Sequence, residues 1–199
     1  MSEPSRHLVA AGPLREFMES MYTAAGCEDE SAGIAAEVLW EAELRGYATH
    51  GLIRLPNMIH RIQSEMINTR PRIRIARERE GSALVDADRA LGPVGALYGA
   101  ELAIRKAKRA GCCAVGVRNG NHICMAGYYA ERIARAGCVG IVTTVTAPLA
   151  HVLGGMERLL GTNALAIALR SGGENPILVD FATTAISFGT VLKSRARGE

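Results

Sequence analysis

Residues 113–136 read Cys113-Ala114-Val115-Gly116-Val117-Arg118-Asn119-Gly120-Asn121-His122-Ile123-Cys124-Met125-Ala126-Gly127-Tyr128-Tyr129-Ala130-Glu131-Arg132-Ile133-Ala134-Arg135-Ala136. The first five form an uncharged apolar run that suits a strand buried on both faces, and Arg118-Asn119-Gly120-Asn121 breaks it. Tyr128, Tyr129, Ile133 and Ala136 then recur at helical spacing. His122 therefore falls at a strand-to-helix corner, beyond the carboxyl end of a strand, where open α/β sheets collect their ligands. A histidine there titrates near neutral pH and can face a bound molecule; the plainer reading is a turn histidine that does neither.

Working outward, the pattern on both sides repeats the theme. Ala83-Leu84-Val85-Asp86 reads as a strand. Leu91-Gly92-Pro93 opens a long helix with Ala96, Leu97, Ala100, Ile104 and Ala107 on its buried face, and Gly111 closes it. Beyond the corner, residues 138–145 read as another buried strand. Strand, helix, strand, helix, strand predicts parallel crossovers of the right-handed kind. Residues 164–169 and 176–181 are two further strands. Upstream, residues 70–79 alternate arginine with Ile73 and Ile75 and read as an exposed edge strand whose charges discourage aggregation. Three helices precede it: one from Gly12-Pro13 with the stripe Leu14, Phe17, Met18, Met21 and Tyr22, one from the acidic run at Glu28 to Gly46, and a short one over 57–62. The expected fold is α/β: an N-terminal helical segment, residues 1–69, followed by a mixed, largely parallel sheet with crossover helices over residues 70–199.

Composition bounds the function. The chain has 199 residues, 48% hydrophobic and 22% charged, enough for one α/β domain with a sizeable core. A formal charge of +3 is too mild to imply nucleic acid as a partner. A helix-turn-helix reading of the three N-terminal helices fails because the third is apolar and short of exposed base-reading groups. No apolar run approaches a membrane span, and the start Met1-Ser2-Glu3-Pro4-Ser5-Arg6 has no apolar signal core, so a cytoplasmic protein without membrane partners is expected. Five cysteines in odd number, without paired ligand spacing, read as reduced core thiols. His122 and Cys124 lack the further ligands a zinc site needs, so no metal is expected.

A second constellation lies at Arg45-Gly46-Tyr47-Ala48-Thr49-His50-Gly51-Leu52-Ile53-Arg54-Leu55-Pro56. Glycines on both sides let the backbone bring Thr49 and His50 up to a ligand, and one helical turn carries Arg54 back to His50, so that an imidazole and a guanidinium can converge on a small anion. The plainer reading is a helix-connecting turn with a solvated arginine. Downstream, Gly154-Gly155, Gly161-Thr162-Asn163 and Asp180-Phe181-Ala182-Thr183-Thr184 permit close backbone approach to a phosphate or ribose. Neither G-x-G-x-x-G after a strand nor G-x-x-x-x-G-K-[ST] is present, which disfavours an ordinary Rossmann or P-loop site.

Taken in order, these segments, with Asn121-His122 and Ala126-Gly127-Tyr128-Tyr129-Ala130, resemble the malate/L-lactate dehydrogenase family, the non-Rossmann group that includes ureidoglycolate, sulfolactate and diketogulonate dehydrogenases and an imine-reducing branch. The resemblance implies an incomplete non-Rossmann dehydrogenase fold, an NAD- or NADP-dependent oxidoreductase acting on a small 2-hydroxy or 2-oxo acid, and a homodimer. It implies His50 and His122 as acid/base candidates, Thr49 as the hydroxyl that orients His50, and Arg54 as the carboxylate anchor. Cofactor contacts are implied for His122, Ile123, Cys124, Met125 and Ala126, for Gly161, Thr162 and Asn163, and for Asp180, Phe181 and Ala182.

The residue types suit that chemistry. Oxidising a 2-hydroxy acid needs a base for the hydroxyl proton while hydride leaves the same carbon, and an arginine that grips the carboxylate fixes the face presented. Four departures stand out: Ala48-Thr49 where the family has an acidic residue and Ser, Val145 where it has Asn, Thr190 where some members have an acidic residue, and Cys124-Met125 in place of smaller residues. The family continues beyond Glu199. The rival expectation is a shortened, non-catalytic relative acting as a nucleotide- or subunit-binding module.

Overall fold

The computed structural model describes residues 8–185 together with Gly189, Val191 and Ser194. The chain start quoted above, Thr190 and the rest of 193–199 lie outside the described residues. The N-terminal third is helical: α1 (Ala11–Ala24), α2 (Asp29–Leu44), a 3-10 turn at Leu52–Arg54, and α3 (Leu55–Gln63). Asp29 and Glu30 sit in the first turn of α2, where the helix dipole favours acid. Pro56 occupies the first turn of α3, where its missing N–H is harmless.

Two three-stranded sheets follow. In the first, β1 (Arg74–Arg79) runs antiparallel to β2 (Ser82–Asp86), and β2 runs parallel to β3 (Ala114–Arg118) across the crossover helix α4 (Gly92–Ala110). In the second, β4 (Gly140–Thr143), β7 (Leu165–Leu169) and β8 (Ile177–Phe181) stand in the order β4-β7-β8, both pairings antiparallel. Helix α5 (Ala126–Arg135) connects the two sheets, and a short hairpin, β5 (Ala150–His151) with β6 (Arg158–Leu160), projects between β4 and β7 in sequence.

The mixed α/β architecture is as expected, but the parallel pairing is confined to β2–β3. The strand after α5 does not rejoin the first sheet. It starts a second one, so the crossover rule, which governs strands of one sheet, does not apply to it. Burial also departs from expectation. β3 is an edge strand covered by α4 on one side only, which leaves Val117 40% exposed; Ile141 of β4 is exposed, as is Val139 just before it. The exposed edge strand expected over residues 70–79 forms only over 74–79: every residue of β1 is exposed, with a register shift between Ile75 and Arg77.

The largest core cluster joins Met18, Tyr22, Val38, Leu39, Met58 and Ile62 of the helices to Leu91, Cys124 and Tyr129, so the corner at His122 is anchored in the same core as α1–α3. A second cluster packs Ala126, Ala130 and Ala134, one stripe of α5, onto Ala166 and Ala168 of β7. The opposite face of that sheet carries Ile141, Ile177, Val179 and Phe181, all exposed. Of the five free cysteines only Cys27 and Cys124 are buried; Cys112 is exposed and Cys113 and Cys138 are half-buried, which corrects the expectation of core thiols throughout. No helix among the described residues is long and apolar enough to cross a membrane.

Candidate active site

The two histidine loops, 72 positions apart in sequence, meet. The rings of His50 and His122 stack with centroids 5.9 Å apart and planes 21° from parallel. Each loop is held by a separate set of contacts.

The first loop is folded by local polar contacts. His50 N–H donates to the Tyr47 carbonyl, which closes a tight turn, and Thr49 Oγ1 lies 2.8 Å from His50 Nδ1. Arg54 ends the 3-10 turn and folds back so that its Nε donates to the Thr49 carbonyl at 2.6 Å. Arg54 is half-buried, and no carboxylate among the described residues pairs with its terminal nitrogens. Buried Gly189 closes over this loop: a Cβ built there would lie 2.6 Å from Thr49 Cβ and 3.4 Å from Arg54 Nη2.

The second loop hangs between β3 and α5. Asp86 accepts from Asn119 Nδ2 at 3.0 Å and Arg118 Nη2 at 3.1 Å, which fixes the end of β3. Asn121 is saturated: its Nδ2 donates to the carbonyls of Arg89 and Ala90, and its Oδ1 accepts from Arg61 Nη2 at 2.8 Å. Cys124 adopts a left-handed backbone (φ 62°), which turns its N–H back onto His122 Nδ1 at 3.1 Å. Tyr129 reaches from α5 to donate its hydroxyl to the Ile123 carbonyl at 2.6 Å. Asp180 of β8 accepts from Gly127 N–H at 2.7 Å and so caps the start of α5, with burial raising its carboxyl above the ordinary range.

Burial, and secondarily the Arg54 guanidinium, push both imidazoles down to about 4. For His122 the neighbouring His50 and Arg61 act in the same direction. Both rings are therefore neutral at pH 7. Buried Cys124 is pushed up to about 12 and is a thiol, not a nucleophile. Two neutral imidazoles beside a half-buried guanidinium without a carboxylate partner among the described residues are chemically suited to hold a small anion.

The expected cofactor residues separate into groups. Cys124, Met125 and Ala126 turn their side chains into the core, so only their backbone is available to a ligand. Gly161, Thr162 and Asn163 line a different feature, a cavity of about 610 Å³ bounded also by His151, Leu160 and Thr183. The loop is tied in place by Thr162 N–H to Thr146 Oγ1 at 2.9 Å, Thr146 N–H to Asn163 Oδ1 at 3.1 Å, and Thr183 N–H to the Thr162 carbonyl at 3.0 Å. Of Asp180-Phe181-Ala182, Asp180 serves α5, Phe181 points to the opposite face of the sheet, and Ala182 is half-buried. Val145 is 93% exposed.

Three residues that sequence reasoning passed over shape the site. Glu43 Oε1 accepts the Leu52 N–H at 2.7 Å and lies against Gly51, where a Cβ would strike its carboxylate. Arg61 holds Asn121, and Gly92, at the start of α4, abuts the His122 carbonyl so closely that no side chain fits. One signal was available: Glu43 stands in the last turn of α2, where the dipole disfavours a carboxylate.

With the geometry in place, the comparison with known proteins is specific. Residues 9–199 match the family model described as malate/L-lactate dehydrogenase. The chain belongs to that family. A malate dehydrogenase of Pyrococcus abyssi is 41% identical over 186 residues, covering 94% of this chain and 51% of the relative. An L-sulfolactate dehydrogenase of Methanocaldococcus jannaschii is 39% identical, covering 85% and 49%. The solved structure of malate dehydrogenase from Pyrococcus horikoshii superposes with a TM-score of 0.89 at 40% identity, covering 92% of this chain and 52% of that one. The chain spans about half the length of the curated relatives it matches.

Proposed function

We propose that this chain carries the acid/base and carboxylate-binding half of an NAD- or NADP-dependent oxidoreductase that interconverts a small 2-hydroxy acid and its 2-oxo acid. The observation that supports the reading best is the stacked His50–His122 pair with Arg54 beside it. Arg54, its Nε fixed on the Thr49 carbonyl, offers its remaining fork to a carboxylate. That places the adjacent hydroxyl or carbonyl carbon under the imidazoles. A neutral ring accepts the hydroxyl proton during oxidation. An anionic substrate also cancels the positive field of Arg54 at both rings, so binding raises their proton affinity toward neutrality.

The nicotinamide cofactor, when bound, supplies or accepts the hydride. The residues present suit such a group: a cavity of about 610 Å³ is within the range of cofactor sites, and Thr162, Asn163 and Thr183 provide hydroxyl and amide groups along it, on a loop that Gly161 lets pack directly against Thr146. These would hold the nucleotide. The relatives include ureidoglycolate dehydrogenases of Escherichia coli whose names specify NAD(+). A second reading, a nucleotide-binding relative without turnover, draws on the exposed Val145.

One assay separates them. Purified chain is mixed with NADH or NADPH and a panel of small 2-oxo acids, and the nicotinamide absorbance is followed beside the His50→Gln variant. Loss of absorbance in the parent and not in the variant is expected. Nucleotide binding without turnover establishes the second reading.

A further inference from the structure

Strand β1 carries its arginines on one face. Arg74 stands opposite Asp86, Arg77 opposite Leu84 and Arg79 opposite Ser82, and directly opposed residues of an antiparallel ladder share a face. Arg74 and Arg77 are an odd number of residues apart, and it is the register shift between Ile75 and Arg77 that brings the three guanidiniums into line. Their face is the one turned away from α4. That helix packs Leu102 on Ala83 and Val85, and its Lys106 reaches Glu78, which stands opposite Ala83, from the other side. Beside the arginine row the open face is floored by Leu84 and by Gly116 of β3, and no aromatic residue of the three strands stands on it.

The row is only partly neutralised. Asp86, the one carboxylate that the strands place on this face, takes Arg118 at 3.1 Å and Arg74 at 3.8 Å. Arg77 and Arg79 are exposed and have no carboxylate partner among the described residues. The outer edge is open as well. An edge strand turns part of its N–H and C=O groups away from the sheet, and among the described residues no backbone hydrogen bond other than the ladder to β2 reaches 74–79. A second copy of β1 is a poor occupant: in the antiparallel two-fold pairing that joins sheet edges the two arginine rows share a face, so guanidinium meets guanidinium. A nucleic-acid strand would find the charge but no ring to stack on.

We propose that β1 is a docking edge for an acidic, extended segment of another protein, which adds a fourth strand to the first sheet. Main-chain bonds to the open edge supply affinity, and side chains at alternate positions supply the choice of sequence. Those on the open face come within about 5 Å, Cβ to Cβ, of Arg74, Arg77 and Arg79, and are Asp or Glu. Those between them fall beside Ile75, which is apolar, and Glu78, which is already bound to Lys106, and are uncharged. The recognised pattern is an acid at every second position with aliphatic or hydroxyl residues between. The proposal does not depend on the dehydrogenase reading.

The test titrates the full chain with a fluorescent, end-capped peptide of alternating glutamate and valine, followed by anisotropy, with amide hydrogen exchange of the chain read at saturation. Saturable binding that weakens with salt is expected, together with slower exchange over residues 74–79. The double variant Arg77→Glu/Arg79→Glu should bind about tenfold more weakly or worse, with its thermal midpoint unchanged because neither side chain has a carboxylate partner to lose. Arg74 is left in place, since its partner Asp86 also holds the end of β3. Two control peptides separate strand addition from plain charge attraction: one with the same composition but its glutamates in a single block, and one with a central proline, which keeps the acids and breaks the ladder. Both should bind about tenfold more weakly. Equal binding of either control, equal binding of a single-stranded oligonucleotide of the same charge, unchanged affinity in the double variant, or no saturation by about 1 mM peptide overturns the proposal. So does protection of 74–79 that grows with protein concentration in the absence of peptide, which would make the occupant a second copy.

Discussion

Gly92→Ala is the substitution that most severely tests how the His122 corner is built. Gly92 is the first residue of α4, and a Cβ there would run into the His122 carbonyl and lie 2.6 Å from the Asn121 carbonyl oxygen. Ordinary contact begins near 3.4 Å, so either the helix start or the 121–122 backbone must shift by more than an ångström to clear the His122 carbonyl. Neither gives easily. Asn121 is locked by Arg61 and by the Arg89 and Ala90 carbonyls, and Leu91, the residue before Gly92, is in the main core. Overpacking of this kind costs about 1–3 kcal/mol, against a gain of at most about 0.5–1 kcal/mol from replacing Gly by Ala in a helix. The net loss of about 1–2 kcal/mol lowers the thermal midpoint by roughly 2–8 °C in a chain of this length. Because the strain falls on the backbone of His122, the ring also moves, and a displacement of about 1 Å is worth roughly 10²-fold in turnover. Thermal unfolding and the His122 ring resonances measure both effects. An unchanged midpoint together with unchanged His122 signals would refute the reasoning.

Other substitutions probe the remaining supports. Arg54→Ala should weaken binding of small 2-oxo acids about tenfold to a hundredfold with nucleotide affinity unchanged, as titration calorimetry with each ligand would show; equal losses would make Arg54 structural or a nucleotide contact. Glu43→Ala strips the acceptor from Leu52 N–H and should lower stability by about 1–3 kcal/mol, with Glu43→Gln recovering most of it in denaturant unfolding. Asp180→Ala uncaps α5 and should lose about 1 kcal/mol, with faster amide exchange at Gly127. The depressed histidines make a pH prediction. Their unfolded forms take up protons near 6.5 while the folded rings hold out to about 4, so stability is complete above roughly pH 6.5 and is lost as pH falls toward 4. The loss amounts to up to about 3 kcal/mol for a single ring, and a flat stability profile between pH 7 and 4 would contradict it.

How much of this the sequence could show depends on the range of the interaction. The corner at His122 was legible because three local signals coincide there: an apolar run, a polar break, and a helical stripe. The Thr49–Arg54 turn was legible because the bonds from His50 to Tyr47, Thr49 to His50 and Arg54 to Thr49 span five residues or fewer. Burial of β3 and β4 was not. A short uncharged run states that a strand is apolar, whereas which face receives a helix depends on where α4 and α5 finally lie. The partner of β4 was hidden for the same reason, since it pairs with β7 across the hairpin of β5 and β6, strands too short to carry a period. Contacts such as Arg61 with Asn121, 60 positions apart, leave no periodic trace. In the cofactor segments, small residues signal close approach without saying to what: Gly161–Asn163 line a cavity, whereas Asp180 is taken up by the start of α5.

The central claim is that two imidazoles and a guanidinium brought together by the fold form one anion pocket. Titrating the chain, ¹⁵N-labelled in its histidine rings, with oxamate, an unreactive analogue of a 2-oxo acid, addresses it most directly. The account predicts that the His50 and His122 ring signals move together along a single saturable curve, and that Arg54→Ala shifts that curve to about tenfold to a hundredfold higher oxamate concentration. Response of one ring without the other, or an unaltered curve in Arg54→Ala, would contradict it.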